Sequence, residues 1–184
     1  MQNLVDSIIA FQNLLRQEST PVMAIGGIAV AVWGEPRLTR DVDFKVLISK
    51  ENRMVLLNLL RGYTALQDDP DDSFRRFGLA FFQDPNGIRI DVMLADTIFD
   101  QTALERACEV DLLPGKAVRV CTAEDLIIYK MLSTRLRDRS DVESVIRRQG
   151  KKLDSFYIEK WLKQFEEALS DSPLVRDFKE LLGR

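Results

Sequence analysis

Residues 41–46, Asp-Val-Asp-Phe-Lys-Val, alternate polar and apolar side chains, and Ile48 extends the apolar set. An alternation of that kind is a strand with one face buried. Val42, Phe44, Val46 and Ile48 must therefore meet a core, while Asp41, Asp43 and Lys45 share the other face. Residues 89–94, Arg-Ile-Asp-Val-Met-Leu, repeat the parity, with Arg89, Asp91 and Met93 opposite Ile90, Val92 and Leu94. Two such strands side by side would bring three carboxylates to one open face of a sheet. A fold is then required that covers one face of that sheet and leaves the acids reachable.

The rest of the chain supplies the covering elements. Leu4, Val5, Ile8, Ile9, Phe11 and Leu15 predict a helix over residues 2–17. Val-Met-Ala-Ile, ahead of Gly26 and Gly27, reads as a short buried strand running into a glycine turn. Ile28–Trp33 then predicts a short helix stopped by Gly34 and Pro36. Residues 50–61 read as a helix and the acidic stretch 67–73 as a loop. Residues 75–84 and 88–94 read as two strands, with Asn86-Gly87 marking a hairpin between them. A helix over 97–108 and a strand over 116–121 follow. Thr122, with Asp125 three residues on, predicts a capped helix start. Beyond it the pattern is helical, broken near Gly150 and near 170–173. The expected fold class is α/β in the α+β sense: a small mixed, mostly antiparallel sheet, flanking helices and a helical C-terminal half. The expected division is a core over 1–121 and a helical region over 122–184 packing on it.

Composition removes several kinds of chemistry. The chain of 184 residues contains no histidine, which excludes Ser-His-Asp and Cys-His catalysis and most zinc sites. Its two cysteines, Cys108 and Cys121, form no disulfide framework and suit a reducing cytoplasm. No apolar stretch reaches the length of a membrane span. A net charge of −3 argues against a surface wrapped in nucleic acid.

Carboxylates gathered at one place raise one another's pKa unless a cation neutralises them. Oxygen ligands without imidazole or thiolate favour Mg²⁺ or Mn²⁺. Upstream, Gly26 and Gly27 lie between a strand and a helix. Glycines there serve either a tight turn or the close approach of a phosphate to backbone amides at a helix N-terminus.

Taken together, Ile25-Gly26-Gly27, thirteen intervening residues (28–40), Asp41-Val42-Asp43-Phe44 and the later Ile90-Asp91-Val92 resemble the nucleotidyltransferases of the DNA polymerase beta type. The resemblance covers roughly residues 22–95 and implies that fold. Gly26-Gly27-Ile28-Ala29 and Arg37-Leu38-Thr39-Arg40 are most similar to the AbiEii-like toxins of type IV toxin–antitoxin pairs, and Lys130 and Asp138 match a lysine and an acid of that group.

The resemblance implies transfer of a nucleoside monophosphate from an NTP to a hydroxyl of RNA or protein. It implies two Mg²⁺ or Mn²⁺ ions on Asp41, Asp43 and Asp91, with Asp91 also accepting the acceptor's proton. Gly26, Gly27, Arg37, Thr39, Arg40, Lys130 and Asp138 would contact the nucleotide, and a cognate antitoxin would be a partner. Two other functions share these residues: an antibiotic-type enzyme acting on a small sugar hydroxyl, and a non-catalytic nucleotide-binding module.

Three features keep alternatives. Lys130 lies beside an apolar helix face and either pairs with Asp138 and Asp141 along one unbroken helix or meets an anion. Residues 135–152 carry seven basic side chains and three acids, which is either a solvated helix face or an RNA patch. Arg37 and Arg40 likewise suit either a solvated loop or phosphate. Oligomeric state is left open.

Overall fold

The two alternating strands are neighbours. The computed structural model describes residues 2–169 and 173–183. Its elements, in chain order, are α1 (Gln2–Gln17), β1 (Val22–Ala24), α2 (Gly26–Trp33), β2 (Asp41–Val46), α3 (Arg53–Leu59), β3 (Thr64–Ala65), α4 (Pro70–Phe77), β4 (Leu79–Gln83) and β5 (Arg89–Leu94). They continue with α5 (Ile98–Arg106), β6 (Cys108–Leu113), β7 (Lys116–Val120), α6 (Ala123–Met131), α7 (Leu136–Gln149), α8 (Ser155–Leu169) and α9 (Leu174–Leu182). The chain forms two compact units. One is Met1–Ile28 with Leu38–Cys121; the other is Ala29–Arg37 with Thr122–Arg184.

The first unit holds a seven-stranded sheet in the order β3-β4-β5-β2-β1-β7-β6. Only β2–β5 and β1–β7 are parallel, so the sheet is mixed and mostly antiparallel. The expected α+β class is the one observed. Parity decides burial: Val42, Phe44, Val46, Ile90 and Val92 are fully buried. Phe11 of α1 stacks on Phe44 with ring centroids 4.3 Å apart. Ile8, Phe11 and Leu15 recur at helical spacing and are buried with it. Burying each such side chain contributes about 1.5–3 kcal/mol.

The β4–β5 hairpin turns at Gly87, whose φ of 80° favours glycine. Buried Asp84 fixes the turn by accepting the amides of Asn86 and Ile88 at 2.9 and 2.8 Å, and Ser7 of α1 donates to it.

Three local expectations are corrected. Residues 70–77, divided between a loop and a strand in the sequence reading, form α4. Asp69 caps it by accepting the Asp72 amide at 2.9 Å, Pro70 starts it, and Gly78 ends it at φ 65°. Asp71 and Asp72 at one end and Arg75 and Arg76 at the other complement the helix dipole. Strands β3 and β6 went unrecognised. Gly26 and Gly27 belong to the first turn of α2 rather than to a turn before it.

In the second unit, Thr122 caps α6 as expected, accepting the Asp125 amide at 3.2 Å. Tyr157 of α8 donates to Asp125 Oδ1 at 2.7 Å. The helix carrying Lys130 is not continuous: α6 ends at Met131 and α7 starts at Leu136. A further break falls at Gly150, as expected. The break predicted near 170–173 lies largely outside the described residues. Gln149 donates to the Trp33 carbonyl at 2.6 Å, so the end of α2 is tied to α7. Among the described residues no helix is long and apolar enough to cross a membrane.

Candidate active site

The parallel pairing of β2 with β5 sets Asp43 opposite Asp91 and Asp41 opposite Arg89. Neighbouring strands lie about 4.8 Å apart, so two carboxylates that close repel unless a cation intervenes. Arg89 is that cation. Its Nε donates to Asp91 Oδ1 at 2.6 Å and its Nη2 to Oδ2 at 3.1 Å. Its guanidinium carbon stands 4.5 Å from the ring centroid of Phe81, the residue facing Asp91 on β4. The bond to Asp91 raises the Arg89 pKa above its ordinary value. Partial burial opposes this, and the charges of Asp91, Asp41 and Asp43 reinforce it. One guanidinium thus answers to three carboxylates.

Asp41 is held differently, since Thr39 donates from Oγ1 to Asp41 Oδ1 at 2.9 Å. Asp43 lies against Gly26, and a Cβ built there would overlap its carboxylate. At Gly27 a Cβ would fall 2.7 Å from Thr39 Oγ1. These glycines are required by the close approach of Asp43 and Thr39, and Gly26 also by its φ of 58°. The same turn opens α2, whose first amides have no partner within the helix.

The donor set is all carboxylate, and a positive group already stands in its midst. Both observations fit a divalent-cation site. Among the described residues, however, no three His, Cys, Asp or Glu side chains gather at ion-binding spacing. The strands are neighbours, the condition under which the sequence would bring the acids to one face, but Asp91 is turned to Arg89 and Asp41 to Thr39.

The second unit holds a separate cluster. Arg37 grips Asp141 with both prongs of its fork, at 2.9 and 3.0 Å. Lys130 pairs with Asp138 and, at 2.9 Å, with Asp141. Arg135 stands 3.8 Å from Asp138. Burial would raise the pKa of both acids, but the bonds and charges outweigh it and hold both below the usual carboxylate range. For Asp138 these come from Lys130, Ser133 and Arg135; for Asp141, from Arg37 and Lys130.

Of the two readings of Lys130, the ion pair is observed, made across the turn 132–135 rather than along one helix. Arg37 is not a solvated loop residue, whereas Arg40 is exposed. The basic stretch is partly spent within its own unit: Arg147 pairs with Glu35 at 2.8 Å and Arg148 donates to the Gly34 carbonyl. Asp41, Asp43, Asp91, Gly26, Gly27 and Thr39 therefore come together, while Arg37, Lys130 and Asp138 form a cluster of their own. Sequence reasoning gave no role to Arg89 or Phe81. Arg89 carried a signal, because an Arg two residues before Asp91 on one strand shares its face.

No family model and no curated protein matches the chain. Solved structures do. The antibiotic-resistance factor ANT(2″)-Ia, in complex with adenylyl-2″-tobramycin, superposes with a TM-score of 0.61 at 13% identity, over 89% of this chain and 99% of that one. An antigenic nucleotidyltransferase-like protein from Paracoccidioides brasiliensis gives 0.55 at 16% identity over 96% and 92%. The lincomycin-bound lincosamide antibiotic adenylyltransferase LnuA gives 0.51 at 12% identity over 76% and 94%. The chain has the fold of these nucleotidyltransferases.

Proposed function

We propose that this chain transfers a nucleoside monophosphate from an NTP to an acceptor hydroxyl. The observation that carries the reading is the register of β2 and β5, which pairs Asp43 with Asp91 beside the glycine-opened start of α2. In the reaction the acceptor oxygen forms a bond to the α-phosphorus, and the bond from that phosphorus to the pyrophosphate oxygen breaks. Two divalent ions, Mg²⁺ or Mn²⁺, held by Asp41, Asp43 and Asp91, would neutralise charge on the phosphate oxygens and acidify the acceptor hydroxyl.

Asp91 accepts the acceptor's proton. The amides of Gly26 and Gly27 seat the triphosphate, and exposed Arg40 contributes a planar donor fork. Thr39 orients Asp41 through its hydroxyl. Lys130, Arg37 and Asp138 enter this reading as a fastening of the second unit, because their charges are closed on one another and on Asp141. The reaction would run in a reducing cytoplasm.

For the acceptor, a small sugar hydroxyl of the antibiotic kind is favoured by the fold neighbours, which include enzymes caught with tobramycin and lincomycin products or ligands. An RNA or protein acceptor, with a cognate antitoxin, rests on the AbiEii-like residues 26–29 and 37–40. The test incubates the chain with each radiolabelled NTP, Mg²⁺ and, in parallel, an aminoglycoside and lincosamide panel, RNA and cell extract. Label that moves with a small molecule supports the first acceptor class. Label removed by nuclease or by protease supports the second. No NTP binding and no labelled product in any arm would overturn the proposal.

A further inference from the structure

Nucleotidyl transfer would need Asp91 as a ligand and as a base, yet in the structure Asp91 is held by Arg89. Its side chain is 13% exposed and Arg89's is 47% exposed. A carboxylate that deep is costly to leave unpaired, so Asp91 requires a cation at all times. The partner it has is the more exposed of the two. Arg89 reaches it by folding back along its own strand and lying on Phe81, so that both prongs of the fork face Asp91. Arg89 also lies opposite Asp41 in the register, beside the Asp43–Asp91 pair.

We infer that Arg89 is a positioning residue that competes with the divalent cation: its guanidinium is the resident counter-ion of Asp91 and leaves that carboxylate when an ion binds. The inference rests on the nucleotidyl-transfer reading of the same acids. It accounts for acids that share a face without gathering at ion-binding spacing, because each oxygen of Asp91 is turned to the guanidinium. It also gives Phe81 a task. The ring holds the displaced or docked guanidinium over the strand by a cation–π contact and keeps it from drifting into water. The outcome is a site whose ion threshold is set by the strength of one Arg–carboxylate pair.

The experiment measures Mn²⁺ binding without nucleotide, by the loss of the free-ion electron paramagnetic resonance signal. Arg89→Gln is expected to bind Mn²⁺ about tenfold more tightly than wild type, the worth of one charge-assisted contact no longer displaced. Phe81→Leu, which frees the guanidinium without removing it, shifts affinity the same way by less. In an Asp91→Asn background Arg89→Gln gives no gain, because the two residues act through one carboxylate. As a second readout, ion-free Arg89→Gln melts below wild type and Mn²⁺ restores the loss.

The inference is overturned if Arg89→Gln binds Mn²⁺ no more tightly than wild type, or if its gain survives in Asp91→Asn. If wild type binds Mn²⁺ and Asp43→Asn loses it, such a result sinks the inference alone. If neither wild type nor Arg89→Gln binds the ion at all, the metal-dependent reading of the acids falls with it.

Discussion

Two clusters of acids and bases occur in this chain, and they are built on opposite plans. On the β2–β5 face, Asp41, Asp43 and Asp91 share one exposed guanidinium, Arg89. Around Lys130, Asp138 and Asp141 are answered by Arg37, Lys130 and Arg135, and the Lys130 side chain is only 12% exposed. The first cluster meets a half-exposed guanidinium, and the second holds Lys130 largely buried between its acids. Under the proposed function, a face of acids whose guanidinium partner is half exposed suits taking a cation from solution. A cluster whose central cation, Lys130, is largely buried between two acids is adapted to hold helices together. The same residue types thus suit an exchangeable site, under the proposed function, in one place and a fastening in the other, and the exposure of the main cation, 47% for Arg89 against 12% for Lys130, tells them apart.

The largest expected effect separates the two directly. Under the proposed function, Asp43→Asn should lower nucleotidyl transfer by at least about 10²-fold, since it removes a ligand of the cation that would neutralise the phosphate. Its melting temperature should stay within a few degrees of wild type, because the change relieves repulsion with Asp91. Steady-state pyrophosphate release and a thermal melt check both. A variant that lost its fold as readily as its activity would break the contrast between exchangeable and fastened acids.

Lys130→Met should do the reverse. It leaves Asp138 and Asp141, both buried, short of a cation, and breaking a buried pair costs about 3–5 kcal/mol. Arg37 stays on Asp141 and Arg135 near Asp138, which places the expected loss near the lower figure. Urea unfolding followed by circular dichroism measures it. A loss below about 1 kcal/mol, in the range of exposed pairs, would mean that the cluster is not a fastening.

Much of this contrast could not be read from sequence. The acid face was legible because strand parity is local: Asp41, Asp43 and Asp91 sort themselves by alternation, and the register of β2 with β5 matches it. The Lys130 cluster was legible only in part. Asp138 and Asp141 lie within helical reach of Lys130, but Arg37 is 104 residues from Asp141, and no local pattern links them. The reading of one unbroken helix failed for a physical reason, since Ser133 and Thr134 at the turn are residues whose hydroxyls compete with helical hydrogen bonds. Helix α4 failed the other way. Its signals, Asp69 as cap, Pro70 at the first position and Gly78 as terminator, were all present, but a run of four aspartates among residues 68–72 resembled a loop by composition. Strand β3 is two residues long and too short to carry a pattern.

A smaller effect sharpens the acid side. Gly26→Ala forces a residue with a Cβ to adopt φ 58° and to displace the Asp43 carboxylate. The left-handed conformation alone costs about 1–2 kcal/mol. The expected result is a modest drop in melting temperature with a larger loss of Mn²⁺ affinity, since the strain is delivered to a side chain that would hold the ion under the proposed function. A loss of stability with Mn²⁺ affinity unchanged would show that Gly26 serves only the turn.

The smallest effect is a matter of pH, and it tests whether the Lys130 cluster works through charge. Asp138 and Asp141 have pKa values below those of an unfolded chain, where a carboxyl titrates near about 3.9. A group depressed on folding contributes stability that is complete above its unfolded pKa and is lost as pH falls through its folded one. Wild type should therefore keep the contribution at neutral pH and shed it below about pH 4. Lys130→Met has already lost the part that Lys130 supplies at pH 7, so less remains to be titrated away. The gap in unfolding free energy between the two proteins should be widest near neutrality and narrow as the solution is acidified. A gap that stays constant from neutral to acid pH would assign the role of Lys130 to the packing of its aliphatic stem.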